Sequence, residues 1–177
     1  PKGWPYTTRV LSFANTPSLD AMVACNEEVI GALGPLLTAI VENIPQGSSW
    51  GFNAAKTFRD RVRTALDTPA NGLSPQRVVD CARSIMPVDT IATCDAGASR
   101  LLVVQKWKSF GPREFLTSNG LGSMGFAIPG ALAARLAHRD KPVLACTGDG
   151  GLLMAVAVIH TSVSENLPII ILVFDDG

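Results

Sequence analysis

The sequence has little of what metal centres and nucleophile sites are usually built from. It holds only two histidines, His138 and His160, and they stand apart. A His-based metal site or a nucleophile triad therefore has no support. Its four cysteines, Cys25, Cys81, Cys94 and Cys146, form no CxxC pair. They are expected to be buried thiols of a reducing cytoplasm, Cys94 and Cys146 lying inside apolar strand-like runs. Charge is scarce and balanced, with 15 Lys plus Arg against 15 Asp plus Glu in 177 residues. No basic excess is present to make a nucleic-acid face. No run of about 18 apolar residues is free of a charge or a breaker, so no membrane span is expected. The opening residues Pro1 to Tyr6 lack the apolar segment of a signal peptide. The chain does not begin with Met, and a fragment of a larger cytoplasmic protein is the expectation.

What is present is apolar: 47% of the residues are hydrophobic. That suits a core buried within something larger. Arg9 to Ala14 reads as a strand, closed by a turn at Asn15 to Ser18. Glu27 to Ile44 carries apolar residues at helical spacing, interrupted at Gly34-Pro35. Gln46 to Ser49 reads as a linker, Ala54 to Leu66 as a charged amphipathic helix, and Thr68 to Gly72 as a second break.

From Leu73 onward the pattern becomes regular. Ser74-Pro75 opens a helix to about Ile85. Strands are predicted at Thr90–Cys94, Val143–Thr147 and Ile169–Phe174. Helices are predicted at about Ser99–Trp107, Met124–Ala137 and Leu152–Ser164, with a loop over 109–123. Strands without polar alternation are buried on both faces, which implies a parallel sheet covered by helices.

Each of these strands ends in an acidic, glycine-containing turn: Asp95-Ala96-Gly97, Gly148-Asp149-Gly150-Gly151 and Asp175-Asp176-Gly177. Ligands of parallel sheets bind beyond the carboxyl ends of the strands. Glycines admit an anion to backbone N–H groups, and the following helix adds its positive end. Carboxylates beside a phosphate need a cation between them, and Mg²⁺ is the natural one. The competing reading makes Asp95 and Asp149 plain helix caps. A second alternative is a phosphate- or nucleotide-binding α/β module, but Gly148 to Gly151 does not supply the GxGxxG turn that reading needs.

Gly148-Asp149-Gly150, followed 27 residues after Asp149 by a polar pair closing an apolar strand, resembles the thiamine-diphosphate motif. The stretch Thr117 to Ala131, with Gly120-Leu121-Gly122-Ser123-Met124-Gly125, is similar to the cofactor segment of acetolactate synthases and 2-oxo acid decarboxylases. The resemblance implies a doubly wound α/β sheet with helices on both faces, forming an incomplete C-terminal cofactor domain. Residues 1–45 would end a central domain, 46–72 would be a linker with a connecting helix, and 73–177 would bind the cofactor.

It also implies roles. Asp149 and Asp176 would ligate Mg²⁺. Gly97, Ala98 and Ser99, with Gly148, Gly150 and Gly151, would line the diphosphate. Gly122 would accept from the aminopyrimidine, Ser123 would lie beside it, and Met124 would wedge the cofactor into its V shape. The sequence departs from the family at Ala98-Ser99, where acetolactate synthases have Gln-His, and at Asp175-Asp176, where they have Asn-Asn.

The family's chemistry needs a glutamate against the pyrimidine ring, contributed by the partner subunit. None of Glu27, Glu28, Glu42, Glu114 or Glu165 matches it. No catalytic acid or base is assigned to this chain, which alone is expected to be inactive. The resemblance implies a homodimer or homotetramer with the active site at the subunit interface and a small 2-oxo acid substrate. It leaves FAD open for regions outside the chain.

Overall fold

The structure, a computed structural model, describes residues 9–17, 25–44, 51–67 and 72–175. The predicted linker at Gln46 to Ser49 and the break at Thr68 to Asn71 lie outside them, as does Asp176. The chain divides into two units, Pro1–Ala54 and Ala55–Gly177.

In the first unit, β1 (Leu11–Ala14) pairs in parallel with β2 (Glu27–Ile30), and α1 (Leu33–Asn43) follows. The predicted helix over Glu27 to Ile44 is thus corrected in its first part. Glu27–Ile30 satisfies its backbone groups on β1 instead, and the helix begins beyond Gly31. Pro35 sits in the first turn of α1, where an N–H would have no intrahelical partner, so it helps to start the helix rather than kink it.

α2 (Phe52–Leu66) precedes the second unit's sheet, which is parallel throughout, in the order β4-β3-β5-β6. Its strands are β3 (Ile91–Cys94), β4 (Phe115–Thr117), β5 (Val143–Gly148) and β6 (Ile170–Phe174). Helices α3 (Pro75–Ile85), α4 (Ala98–Lys106), α5 (Ala127–Ala137) and α6 (Asp149–Ser164) cover it. Alternation along the strands decides which helix packs where. Ile91 of β3 with Val143 and Ala145 of β5 meets Ala127, Ile128 and Ala131 of α5 and Ala155 of α6. Ala92, Cys94, Leu144 and Cys146 point the other way, against Val79 of α3 and Val103 of α4. Small residues on α5 let it lie close to the sheet, and Thr93 Oγ1 donates to Ala127 O at 2.7 Å.

Ser74 caps α3 through its Oγ, accepting from Arg77 N–H at 3.3 Å, with Pro75 first in the helix. α4 is tied to its surroundings by Lys106, whose ammonium lies 2.5 Å from both Asp67 and Asp80. Burial pushes the Lys106 pKa down, but its bonds to the two carboxylates outweigh this and hold it above the ordinary lysine value. The expectation of buried thiols fits Cys94 and Cys146, which are register partners on β3 and β5. Burial pushes them up to about 11 and about 12, leaving both as unreactive thiols at neutral pH. Cys25 and Cys81 are exposed instead. Among the described residues no helix is long and apolar enough to cross a membrane.

Candidate functional site

The order of strands sets the site. From β3 the chain moves outward to β4, then returns to the other side of β3 to form β5 and β6. The direction reverses between β3 and β5, and open parallel sheets bind ligands at such a switch point. A crevice of about 500 Å³ lies there, a size suited to a small cofactor. Its walls include Gly97, Ala98 and Ser99 after β3, and Gly148 to Gly151 after β5. Met124, Phe174 and Asp175 also face it, as do Leu73, Pro75 and Val78 from the start of α3. The last three carried no recognisable signal in the sequence, being ordinary apolar residues at a helix start.

Two helices begin at this crevice with glycine caps. Gly97 precedes α4 and Gly148 precedes α6, and neither helix has a side-chain cap. Their first N–H groups are therefore available to an anion, and the helix dipoles favour one. Gly97 has φ 123°, a conformation that side chains resist. The predicted start of α6 at Leu152 moves to Asp149, so the acidic side chain stands in the helix's first turn, exposed at the crevice. A Cβ on Gly150 would come within 2.9 Å of Met124 Cε, so Met124 reaches over this turn. Met124 and Leu121 are exposed, 47% and 96%. Both belong to the segment before α5, where an uncovered apolar side chain suits contact with a ligand.

Gly122 and Ser123 belong to the same segment but do not line the crevice. Gly122 has φ 63°. Ser123 donates its N–H to Ser118 Oγ at 3.4 Å. α5 starts at Ala127 rather than Met124, because Gly125 at φ 77° makes a turn first. Asp176 lies outside the described residues, and its neighbour Asp175 is at the crevice. Among the described residues no three His, Cys, Asp or Glu side chains are grouped to hold a metal.

Asp95 departs from the expected pattern. Its carboxylate does not face the crevice with Asp149. It is fully buried and bonded inward to Thr147 and to the N–H groups of Gly125 and Phe126.

Glu114 immediately precedes β4, at the opposite end of the sheet from the crevice. Its Oε2 accepts N–H groups of Phe110 and Gly111 at 2.8 and 2.7 Å. These bonds hold its carboxyl below the ordinary value of 4.5, against an opposing push from burial. A lowered folded pKa contributes stability that is present above 4.5 and lost as pH falls through the folded value. Glu114→Gln should therefore lower the melting temperature at pH 7, and the gap to wild type should close towards pH 3. A gap that persists unchanged at low pH would show that the carboxylate's charge is not what binds the loop.

Residues 95–177 match the family model of thiamine pyrophosphate enzymes, C-terminal TPP binding domain. The probable acetolactate synthase large subunit of Methanococcus aeolicus is 36% identical over 143 residues, covering 76% of this chain and 23% of that protein. The acetolactate synthase large subunit of Parasynechococcus marenigrum is 30% identical over 154 residues, covering 84% of this chain and 24% of that protein. The isozyme 1 large subunit of Escherichia coli is 33% identical over 156 residues, covering 88% and 27%. The chain thus spans about a quarter of the length of these curated relatives. The chain belongs to the thiamine pyrophosphate enzymes of the acetolactate synthase-like kind, and its residues 95–177 match their C-terminal TPP-binding domain.

Proposed function

We propose that the full protein is a thiamine-diphosphate- and Mg²⁺-dependent enzyme that acts on small 2-oxo acids by decarboxylation, carboligation or both. One observation carries this reading. Two glycine-capped helix starts, at Gly97 and Gly148, open onto one switch-point crevice with the Asp149 carboxylate beside them. The donors suit a diphosphate, and the carboxylate suits the cation that a diphosphate brings.

Residues 1–45 would then close a central domain, 46–72 would connect, and 73–177 would carry the cofactor. When bound, thiamine diphosphate supplies an electron sink for breaking the bond beside a 2-oxo group. The chain's own residues bind and orient. The N–H groups of the turns at 97–99 and 148–151 would hold the diphosphate. Asp149 and Asp176 would hold Mg²⁺. The carbonyl of Gly122 would accept a hydrogen bond from the aminopyrimidine with Ser123 beside it, and Met124 would support the cofactor between them. No acid or base for proton transfer is assigned here. The required glutamate would come from the partner subunit, which makes a homodimer or homotetramer the working assembly. Nucleic acid and membrane have no part in this reading, and the compartment would be the cytoplasm. FAD stays open in this reading, and any flavin would be held by regions outside this chain.

Calorimetric titration of the full-length protein tests the reading. Thiamine diphosphate should bind saturably with Mg²⁺ and much more weakly with a chelator present. NAD and ATP should not bind. Binding of NAD or ATP without thiamine diphosphate would favour the nucleotide module instead.

A further inference from the structure

Asp95 ends β3 with none of its surface exposed. Its carboxylate accepts four hydrogen bonds and fills both oxygens. Oδ1 accepts Phe126 N–H at 2.9 Å and Ala96 N–H at 3.2 Å. Oδ2 accepts the Thr147 hydroxyl at 2.8 Å and Gly125 N–H at 3.0 Å. None of the ion pairs among the described residues includes it. A buried carboxylate without a cation is costly, and it persists only where its bonds are complete.

Those bonds join three parts of the candidate site. Ala96 leads into the turn at Gly97. Thr147 is the last residue before the Gly148 turn. Gly125 and Phe126 end the segment that carries Gly122 and Met124. Beside these bonds, Arg100 donates to Asn119 Oδ1 at 3.2 Å and Gly130 N–H to Phe126 O at 2.9 Å, at the two ends of that segment. It contains two left-handed glycines, Gly122 and Gly125, and among the described residues the one other side-chain bond to its Gly122–Phe126 backbone N–H groups is the 3.4 Å contact of Ser123 with Ser118. Gly151 shows how tightly the junction is built. A Cβ there would stand 2.1 Å from Asp95 Oδ2 and 2.3 Å from Thr147 Oγ1.

We propose that Asp95 is a positioning residue: by clamping Gly125, Phe126 and Thr147 together it sets the pyrimidine-facing segment at a fixed height over the diphosphate turns. The proposal rests on the thiamine-diphosphate reading and adds a role outside the cofactor-contacting set. Its effect should fall on the pyrimidine half of the cofactor, because the Gly97 and Gly148 turns keep their own strands and helices. Asp95→Asn replaces one acceptor with a donor. The amide should turn its nitrogen towards Oδ2's place, since the Thr147 hydroxyl has a second acceptor, Gly148 O, at 3.1 Å. Gly125 would then face a donor and be released.

The test uses full-length protein and two probes with Mg²⁺: thiamine diphosphate, and the diphosphate ester of its hydroxyethylthiazole half, an uncharged thiazole that lacks the pyrimidine. Asp95→Asn should weaken thiamine diphosphate at least about tenfold and the thiazole ester less than about threefold. Thr147→Val removes one bond without adding a donor and should show the same bias, about fivefold. Thr147→Ser should restore the wild-type ratio. Melting of the cofactor-free proteins reports folding separately, and Thr147→Val decides the matter if Asp95→Asn does not fold. Equal loss on both probes, or an unchanged ratio, overturns the role of Asp95. Wild-type protein that binds neither probe overturns the cofactor reading and the role with it.

Discussion

Gly151→Ala is expected to destabilise the full-length protein by about 3 kcal/mol or more, while Gly150→Ala should change stability by less than about 1 kcal/mol. The two glycines are adjacent in the first turn of α6, and alanine favours both positions by about 1 kcal/mol in helix propensity. Their surroundings differ. At Gly151 a methyl group would sit 2.1 Å from Asp95 Oδ2 and 2.3 Å from Thr147 Oγ1. Neither atom can retreat without breaking buried hydrogen bonds, each worth about 1–3 kcal/mol when a charged group is involved. At Gly150 the methyl would meet only Met124 Cε at 2.9 Å. That atom ends a flexible side chain that can swing away. Chemical denaturation of both variants would measure the difference. Equal losses would mean that the junction around Asp95 is looser than its contacts indicate.

Asp149→Ala is expected to weaken Mg²⁺-dependent binding of thiamine diphosphate about a hundredfold, or roughly 2.7 kcal/mol. On the proposed assignment it would remove a charged oxygen ligand with nothing to replace it. Stability should hardly change, because the side chain is exposed and makes no cap bond. Asp176→Asn is a milder change. If Asp176 is the second ligand as proposed, the change would leave an oxygen for the metal and remove a charge that would both attract Mg²⁺ and repel the diphosphate. The effects oppose each other, so affinity should move by no more than about tenfold. Calorimetry at fixed Mg²⁺ compares the two. A larger loss at Asp176 would reverse their assigned weights and bring Asp175, which already faces the crevice, into consideration as the second ligand.

Much of the second unit was legible because its strands are continuous apolar runs. Ile91–Cys94, Val143–Gly148 and Ile170–Phe174 are buried or half-buried over most of their length, and only a parallel sheet between helices demands such strands. Shorter elements were not legible. β4 has three residues, too few for a period to emerge, and it exists because β3 offers a free edge. Glu27–Ile30 fits the helical spacing of the residues after it, yet β1 supplies the pairing that makes it a strand. Local pattern gave no preference there, and a partner elsewhere in the chain settled it.

The acidic turns show the same division. Sequence alone determined that strands end in carboxylates and glycines, that these ends share one side of a parallel sheet, and that they carry a thiamine-diphosphate signature. By local pattern Asp95 and Asp149 are alike, each an acid within two residues of a glycine after an apolar strand. Tertiary structure made them different. Asp149 opens a helix and stays exposed at the crevice. Asp95 is met by donors from Gly125, Phe126 and Thr147, which lie 30, 31 and 52 residues away. Which way a carboxylate turns depends on where unpaired donors await it, and donors so distant in the chain come within reach only once the sheet has formed.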